Sequence, residues 1–177
     1  MKKAQQMTCV VTVETLFGPE SVTVPRRLIK LRQIKAVYET LEIREDVAEY
    51  MPADRRYTAP EQIAGLFSFL NNEAKEFFFT LHLDGKNRIL CVDCVSVGSL
   101  NQSIVTCREV FKTALISSAA AIVLAHNHPS GDPTPSSEDI AITRRLKEAG
   151  EIIGIKVMDH IIVGRDGMVS FVERGLL

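Results

Sequence analysis

The chain of 177 residues lacks an excess of either charge: 21 basic and 22 acidic residues leave a formal net charge of −1. A balance so close to zero argues against a protein held to nucleic acid by bulk charge, and leaves only a local basic patch for that role. Long apolar runs are missing too. None approaches the ~18–20 residues a membrane-spanning helix needs, so no membrane partner is expected. The opening MKKAQQMTCVVTV has neither the apolar core nor the small-residue cleavage site of a signal peptide. Cysteine is sparse, with four residues at 9, 91, 94 and 107. In a chain neither small nor cysteine-dense, these read as reduced thiols in a cytoplasm. Cys91 and Cys94 form a CxxC, but RILCVDCVSV has the pattern of a strand, where a spacing of three sends the two thiols to opposite faces. No second pair follows, and buried small side chains are the better reading. Internal repeats and low-complexity tracts are also lacking.

What is present is a hydrophobic fraction of 46%, too high for a disordered chain and enough for one compact domain with a short appendage. The first 57 residues differ from the rest and are expected to be an N-terminal extension. MTCVVTVETLF reads as a strand by its Val, Thr and Phe content. Pro25 opens RRLIKLRQIKAVYETLEI, a helical pattern carrying Arg26, Arg27, Lys30, Arg32 and Lys35. These make a solvated face or, on a sharper reading, a contact for nucleic acid or an acidic partner. MPADRRYTAP, residues 51–60, reads as a linker.

Beyond it the signals become regular. Pro60 to Leu70 fits a helix with Thr58 as its N-cap. EFFFTLHLD and RILCVDCVSVGSL are strands joined by a tight turn at Asp84-Gly85-Lys86-Asn87. Residues 107–118 fit a helix. AAAIVLAH, 119–126, suits a strand buried on both faces. Ser136 to Ala149 is helical in pattern, with Gly150 as a natural C-cap. IKVMDHIIVG and MVSFV are strands flanking the turn Gly164-Arg165-Asp166-Gly167. The order α-β-β-α-β-α-β-β predicts an α/β fold, a mixed sheet flanked by helices.

The stretch that carries chemistry is LAHNHPSGDPTPSSEDI, residues 124–140. His126 and His128 stand two apart at a strand end, so both rings point the same way. Asp139 follows eleven residues after His128, in the first turn of the next helix, across a Pro/Gly-rich loop that folds back on itself. Two imidazoles and one carboxylate, with a fourth position left to water, make a catalytic rather than a structural zinc arrangement. The N,N,O set suits Zn²⁺ better than Mg²⁺ or Ca²⁺. Read singly, Asp139 is an acid favoured by the helix dipole and Ser136 an N-cap. His82 lies mid-strand and reads as structural, and Ser130 as a shaper of the loop. Asp159 and His160 read as buried polar residues with ordinary partners, or as neighbours of the metal site.

The spacing His126-x-His128, seven residues, Ser136, two residues, Asp139 resembles the JAB/MPN (JAMM) metalloprotease motif. The HNHPSGDPTPS and DHIIVG strings are similar to the bacterial RadC branch of that family, over about residues 58–177. Residues 1–57 do not resemble the helix-hairpin-helix region that precedes the domain in longer RadC proteins. The resemblance implies a cytidine-deaminase-like fold and one Zn²⁺ per chain, bound by His126, His128 and Asp139. It implies hydrolysis of an amide in a peptide or protein, with Ser136 donating its hydroxyl to the developing oxyanion. A glutamate ahead of the HxH serves as general base in the family. Glu76 holds the matching place, with Glu73 and Glu109 as rivals. The traditional DNA-repair label of RadC-like proteins brings nucleic acid as a second partner class, weakly supported by a net charge of −1. HNH nucleases do not match, because their three residues are scattered through the fold. A zinc deaminase needs His-x-Glu followed by Pro-Cys-x-x-Cys, and His128 stands where that glutamate belongs. The strand pair at 77–97 offers an edge on which an extended peptide could add as a further strand. The sequence names neither the substrate nor the oligomeric state.

Overall fold

A computed structural model describes residues 37–39, 53–98 and 105–177. The expected strand at 7–17 and the basic helix from Pro25 onward lie outside the described residues. The elements run in the expected order: α1 (Pro60–Leu66) with a 3-10 turn (Ser68–Asn72), β1 (Glu76–Leu83), β2 (Ile89–Gly98), α2 (Cys107–Ile116), β3 (Ala121–Asn127), α3 (Ser137–Ile153), β4 (Lys156–Gly164) and β5 (Gly167–Ser170). They form one five-stranded mixed sheet, in the order β2-β1-β3-β4-β5. Among the described residues only β3 and β4 pair in parallel, and α3 makes the crossover between them.

Helices cover both faces, which explains the continuous apolar run of the central strand: every residue of β3 is buried. On one face Ile63, Leu66, Phe67 and Leu70 pack on Leu81, Val123, Ala125 and Ile161. On the other, Val110, Phe111 and Leu146 pack on Phe78, Ile122, Leu124 and Val157. The alternation within β3 therefore sends odd-numbered residues toward α1 and even-numbered ones toward α2 and α3.

Local details depart from the sequence reading in four places. Thr58 is not the N-cap of α1; Ala59 is, and Gln62 reaches back so that its Oε1 accepts from the N–H groups of Thr58 and Ala59 at 2.7 and 3.1 Å. The expected helix to Leu70 is α-helical only to Leu66 and tightens into the 3-10 turn, which carries Leu70 into the core. Gly150 is not a C-cap. It lies inside α3 pressed on the following strand, where a Cβ would stand 2.4 Å from the Ile155 carbonyl oxygen. The helix ends one turn later at Gly154, whose φ of 81° is the left-handed conformation that favours glycine. Within the segment expected as a linker, Arg56 bridges to Arg88 and Tyr57 is buried against the sheet. No helix among the described residues is long and apolar enough to cross a membrane.

Candidate metal centre

The centre sits where β3 ends and α3 begins. Phe78 of β1 pairs with His126 of β3 and lies over its ring, with centroids 5.8 Å apart and planes 14° apart. His126 is thereby buried on the α3 face of the sheet. His128, two residues on, points the same way but lies past the strand, and its side chain stays 17% exposed. Its backbone N–H donates to the Val163 carbonyl, and its Nδ1 lies 2.8 Å from the Asp132 carbonyl oxygen. A carbonyl only accepts, so Nδ1 carries a proton, and in the neutral ring Nε2 is left bare.

Asp139 arrives from the first turn of α3. The turn is built as a reciprocal cap: the Ser136 hydroxyl accepts from the Asp139 N–H, and Asp139 Oδ2 accepts from the Ser136 N–H at 2.8 Å. This fixes the carboxylate, whose Oδ1 stands 3.2 Å from His126 Nε2 and whose Oδ2 stands 3.3 Å from His128 Nε2. The two Nε2 atoms are 3.0 Å apart. Burial alone would raise the pKa of Asp139, but in the metal-free protein hydrogen bonds from protonated His126 and His128 rings and from Ser136 outweigh it and hold the carboxyl far below its usual range. The hydrogen bond to Asp139 raises the pKa of His128, and the negative charge of Glu76 adds to that rise.

With both rings neutral and Nε2 bare, two ring nitrogens and a carboxylate facing one another this closely repel unless a cation joins them. Among the described residues, His126, His128 and Asp139 form a group able to hold a metal ion. The spacing can be set against that of the ligands of a zinc ion. Tetrahedral zinc with bonds of ~2.0–2.1 Å separates its ligand atoms by about 3.3 Å; here the two Nε2 atoms are 3.0 Å apart, with Asp139 Oδ1 3.2 Å from that of His126 and Oδ2 3.3 Å from that of His128. The donor set and its spacing fit zinc.

The remaining expected residues fall as follows. Glu76 opens β1 two residues before Phe78, hence on the same face, at the end of the strand that runs beside His126. Glu109 lies in the first turn of α2, which Thr106 caps: its carboxylate is held by Lys112 and Arg108, and the hydrogen bond from Lys112 lowers its pKa. Glu73 closes the 3-10 turn as an exposed residue. The Ser136 hydroxyl donates to Asp139 Oδ2 at 2.6 Å, so it must turn away from the carboxylate to reach another acceptor. His160 contacts His126, with Nε2 2.8 Å from His126 Nδ1. Burial drives its pKa well below the ordinary histidine value. Its neighbour Asp159 points to the opposite face, where it accepts from Tyr57, Ser170 and the backbone of Val172. Together with burial, that carboxylate raises the pKa of Tyr57. Cys91 and Cys94 stay free thiols whose pKa values burial pushes up, the opposite of a reactive CxxC.

Two positions escaped sequence reading. Asn127, between the two histidines, faces the other side of the strand. Its Oδ1 accepts from the Phe77 N–H at 2.8 Å, and its Nδ2 donates to the carbonyls of Leu70 and Lys75 at 3.3 and 3.0 Å. It clamps the chain on both sides of Glu76. Gly164, at the end of β4, lies against the loop that follows His128, and a Cβ there would stand 2.3 Å from the Gly131 carbonyl oxygen. The hint for both was the company they keep, inside the HNH and DHIIVG strings.

Comparison with known proteins agrees with this geometry. A family model for the RadC-like JAB domain matches residues 57–176. A UPF0758 protein of Pelobacter propionicus is 62% identical over 123 residues, 69% of this chain and 54% of that protein. UPF0758 proteins of Geobacter sulfurreducens and Methanosarcina acetivorans are 52% and 45% identical over 149 residues, each across 84% of this chain. The chain spans 54 to 65% of the length of these relatives. The sheet, the histidine pair and the match over 57–176 lead to one conclusion: this chain belongs to the RadC-like JAB domain family.

Proposed function

We propose that the domain is a zinc-dependent hydrolase that cleaves an amide bond in a peptide or protein, with one Zn²⁺ per chain held by His126, His128 and Asp139. The observation that carries this reading is the convergence of the two Nε2 atoms, 3.0 Å apart, on the Asp139 carboxylate, whose Oδ1 and Oδ2 lie 3.2 and 3.3 Å from them, with one side of the cluster reached by solvent. Zinc held there supplies a Lewis acid that lowers the pKa of a bound water toward ~7 and polarises a carbonyl.

The chain's own residues do the rest. Glu76, beside His128 and held by the Asn127 clamp, takes a proton from the attacking water and delivers it to the departing amine. Ser136 turns its hydroxyl from Asp139 Oδ2 toward the carbonyl oxygen as negative charge develops there. β2 is an edge strand of the described sheet, where an extended substrate adds as a further strand. Reduced cysteines accord with a cytoplasmic setting.

The test is Glu76→Gln in purified protein, read by elemental analysis and by a panel of peptide and isopeptide substrates. The expected result is about one zinc per chain, with turnover lowered ~10²-fold or more. Loss of zinc, or full activity, would remove Glu76 from this role.

A further inference from the structure

We propose that Thr143 and His160 are positioning residues that decide which nitrogen of His126 is bare. The proposal deepens the metal reading above and rests on it. Thr143 lies one turn after Asp139 on α3, and its hydroxyl is 2.5 Å from the Asp139 carbonyl oxygen. That oxygen only accepts, so the hydroxyl hydrogen goes to it. The same Oγ1 is 2.6 Å from His160 Nδ1. With its hydrogen committed, Oγ1 accepts there, and Nδ1 of His160 must carry a proton. A neutral imidazole has one N–H, which leaves His160 Nε2 as an acceptor, 2.8 Å from His126 Nδ1. His126 therefore donates from Nδ1 and keeps a lone pair on Nε2, the atom that faces His128 and Asp139.

The two histidines of the centre thus reach one state by different routes. His128 is set directly by the Asp132 carbonyl. His126 is set by the Asp139 carbonyl through two intervening side chains. Its strand position explains the longer route: His126 is walled by Phe78 and His160, and His160 is in turn stacked on Phe171, with centroids 4.7 Å apart. The relay also joins the backbone of Asp139 to the ring of His126, so one helical turn both supplies a carboxylate and orients an imidazole.

Removing the Thr143 hydroxyl frees His160 to take the other tautomer, which would place the proton of His126 on Nε2 and block the metal. The test compares wild type, Thr143→Val and Thr143→Ser. Zinc affinity is read by competition with a chelator, and histidine tautomers by ¹⁵N NMR with and without zinc. The expected result is His160 protonated at Nδ1 in wild type in both states, zinc binding weakened ~10-fold or more in Thr143→Val, and near-wild-type binding in Thr143→Ser. Wild-type His160 protonated at Nε2 overturns the relay. So does Thr143→Val with unchanged affinity, or Thr143→Ser as weak as Thr143→Val. A wild type that takes up no zinc defeats the metal reading separately, and the tautomer in the metal-free protein then judges the relay alone. The same wild-type spectrum decides if Thr143→Val does not fold.

Discussion

All four histidines of the chain lie toward α2 and α3, yet they form two groups with opposite characters. At one end of β1, His82 is closed in on itself. Its Nδ1 meets the Ser117 hydroxyl at 2.8 Å, Ser117 passes its own hydrogen to the Ala114 carbonyl, and Thr80 meets Nε2 at 3.0 Å. Cys91 Sγ also lies 3.2 Å from Nδ1, so both ring nitrogens have partners inside the fold, and burial lowers the pKa of the ring. At the other end, the chain from Thr143 through His160 runs out at His126 Nε2, opposite a second bare nitrogen and a carboxylate. Both groups are buried and both are hydrogen-bonded. The candidate metal centre is the one whose hydrogen bonds do not close without something from outside.

The largest test of that contrast is removal of one histidine from each group. His126→Ala should take bound zinc from about one per chain to near zero by elemental analysis, while His82→Leu should leave it unchanged. Zinc retained by His126→Ala, or lost with His82→Leu, would erase the distinction. Next comes Gly164→Ala, whose new methyl meets the Gly131 carbonyl oxygen and pushes on the loop that carries His128. It should cost ~1–3 kcal/mol in a denaturant titration and weaken zinc in proportion to the displacement. Asn127→Ala should separate the two halves of the proposed reaction. Losing three hydrogen bonds costs about 2–3 kcal/mol, and turnover should fall while zinc stays bound. If zinc leaves as well, Asn127 supports the ligands rather than the base.

The smallest expected effect is on pH dependence. The folded pKa of His82 lies below its ordinary 6.5, so the unfolded chain binds the extra proton first as pH falls. The stabilisation from keeping this ring neutral is therefore present above pH 6.5 and is lost as pH drops toward the folded pKa. His82→Leu should flatten part of the slope of unfolding free energy between pH 7 and 5. A residual slope is expected because His160 is also held well below its usual value. An unchanged slope in His82→Leu would show that this ring does not sense pH.

Much of this was legible in the chain itself, for physical reasons that differ by residue. The period of two in a strand is short-range and strict, so His126 and His128 declare their common direction from spacing alone. Asp139 was legible because a helix start announces itself by its cap, and Ser136 and Asp139 form that cap. Glycine was harder. Gly150 and Gly154 look alike in sequence, and only the approach of Ile155 shows that the first is a packing glycine and the second the cap. The parts of the site that depend on contacts distant in sequence were not legible at all. Nothing near Asn127 says that it reaches back 50 residues to Phe77. Nothing near His160 shows that it would turn toward His126 while Asp159 turns away.

The tripeptide His126-Asn127-His128 therefore works on both sides of the sheet at once: the two rings face the candidate metal centre, and the amide faces the segment that carries Glu76. Deleting or inserting a single residue just before it would exchange the two sides, sending both rings toward Leu70 and the amide toward Asp139. Such a stretch can drift in composition only where both sides tolerate the change, and it cannot drift in length. The Pro/Gly-rich loop that follows has no such bond to two masters. Over the course of descent, length changes in this region should collect in the loop and spare the strand, as in a hinge whose pin is fixed and whose plates are free to be recut.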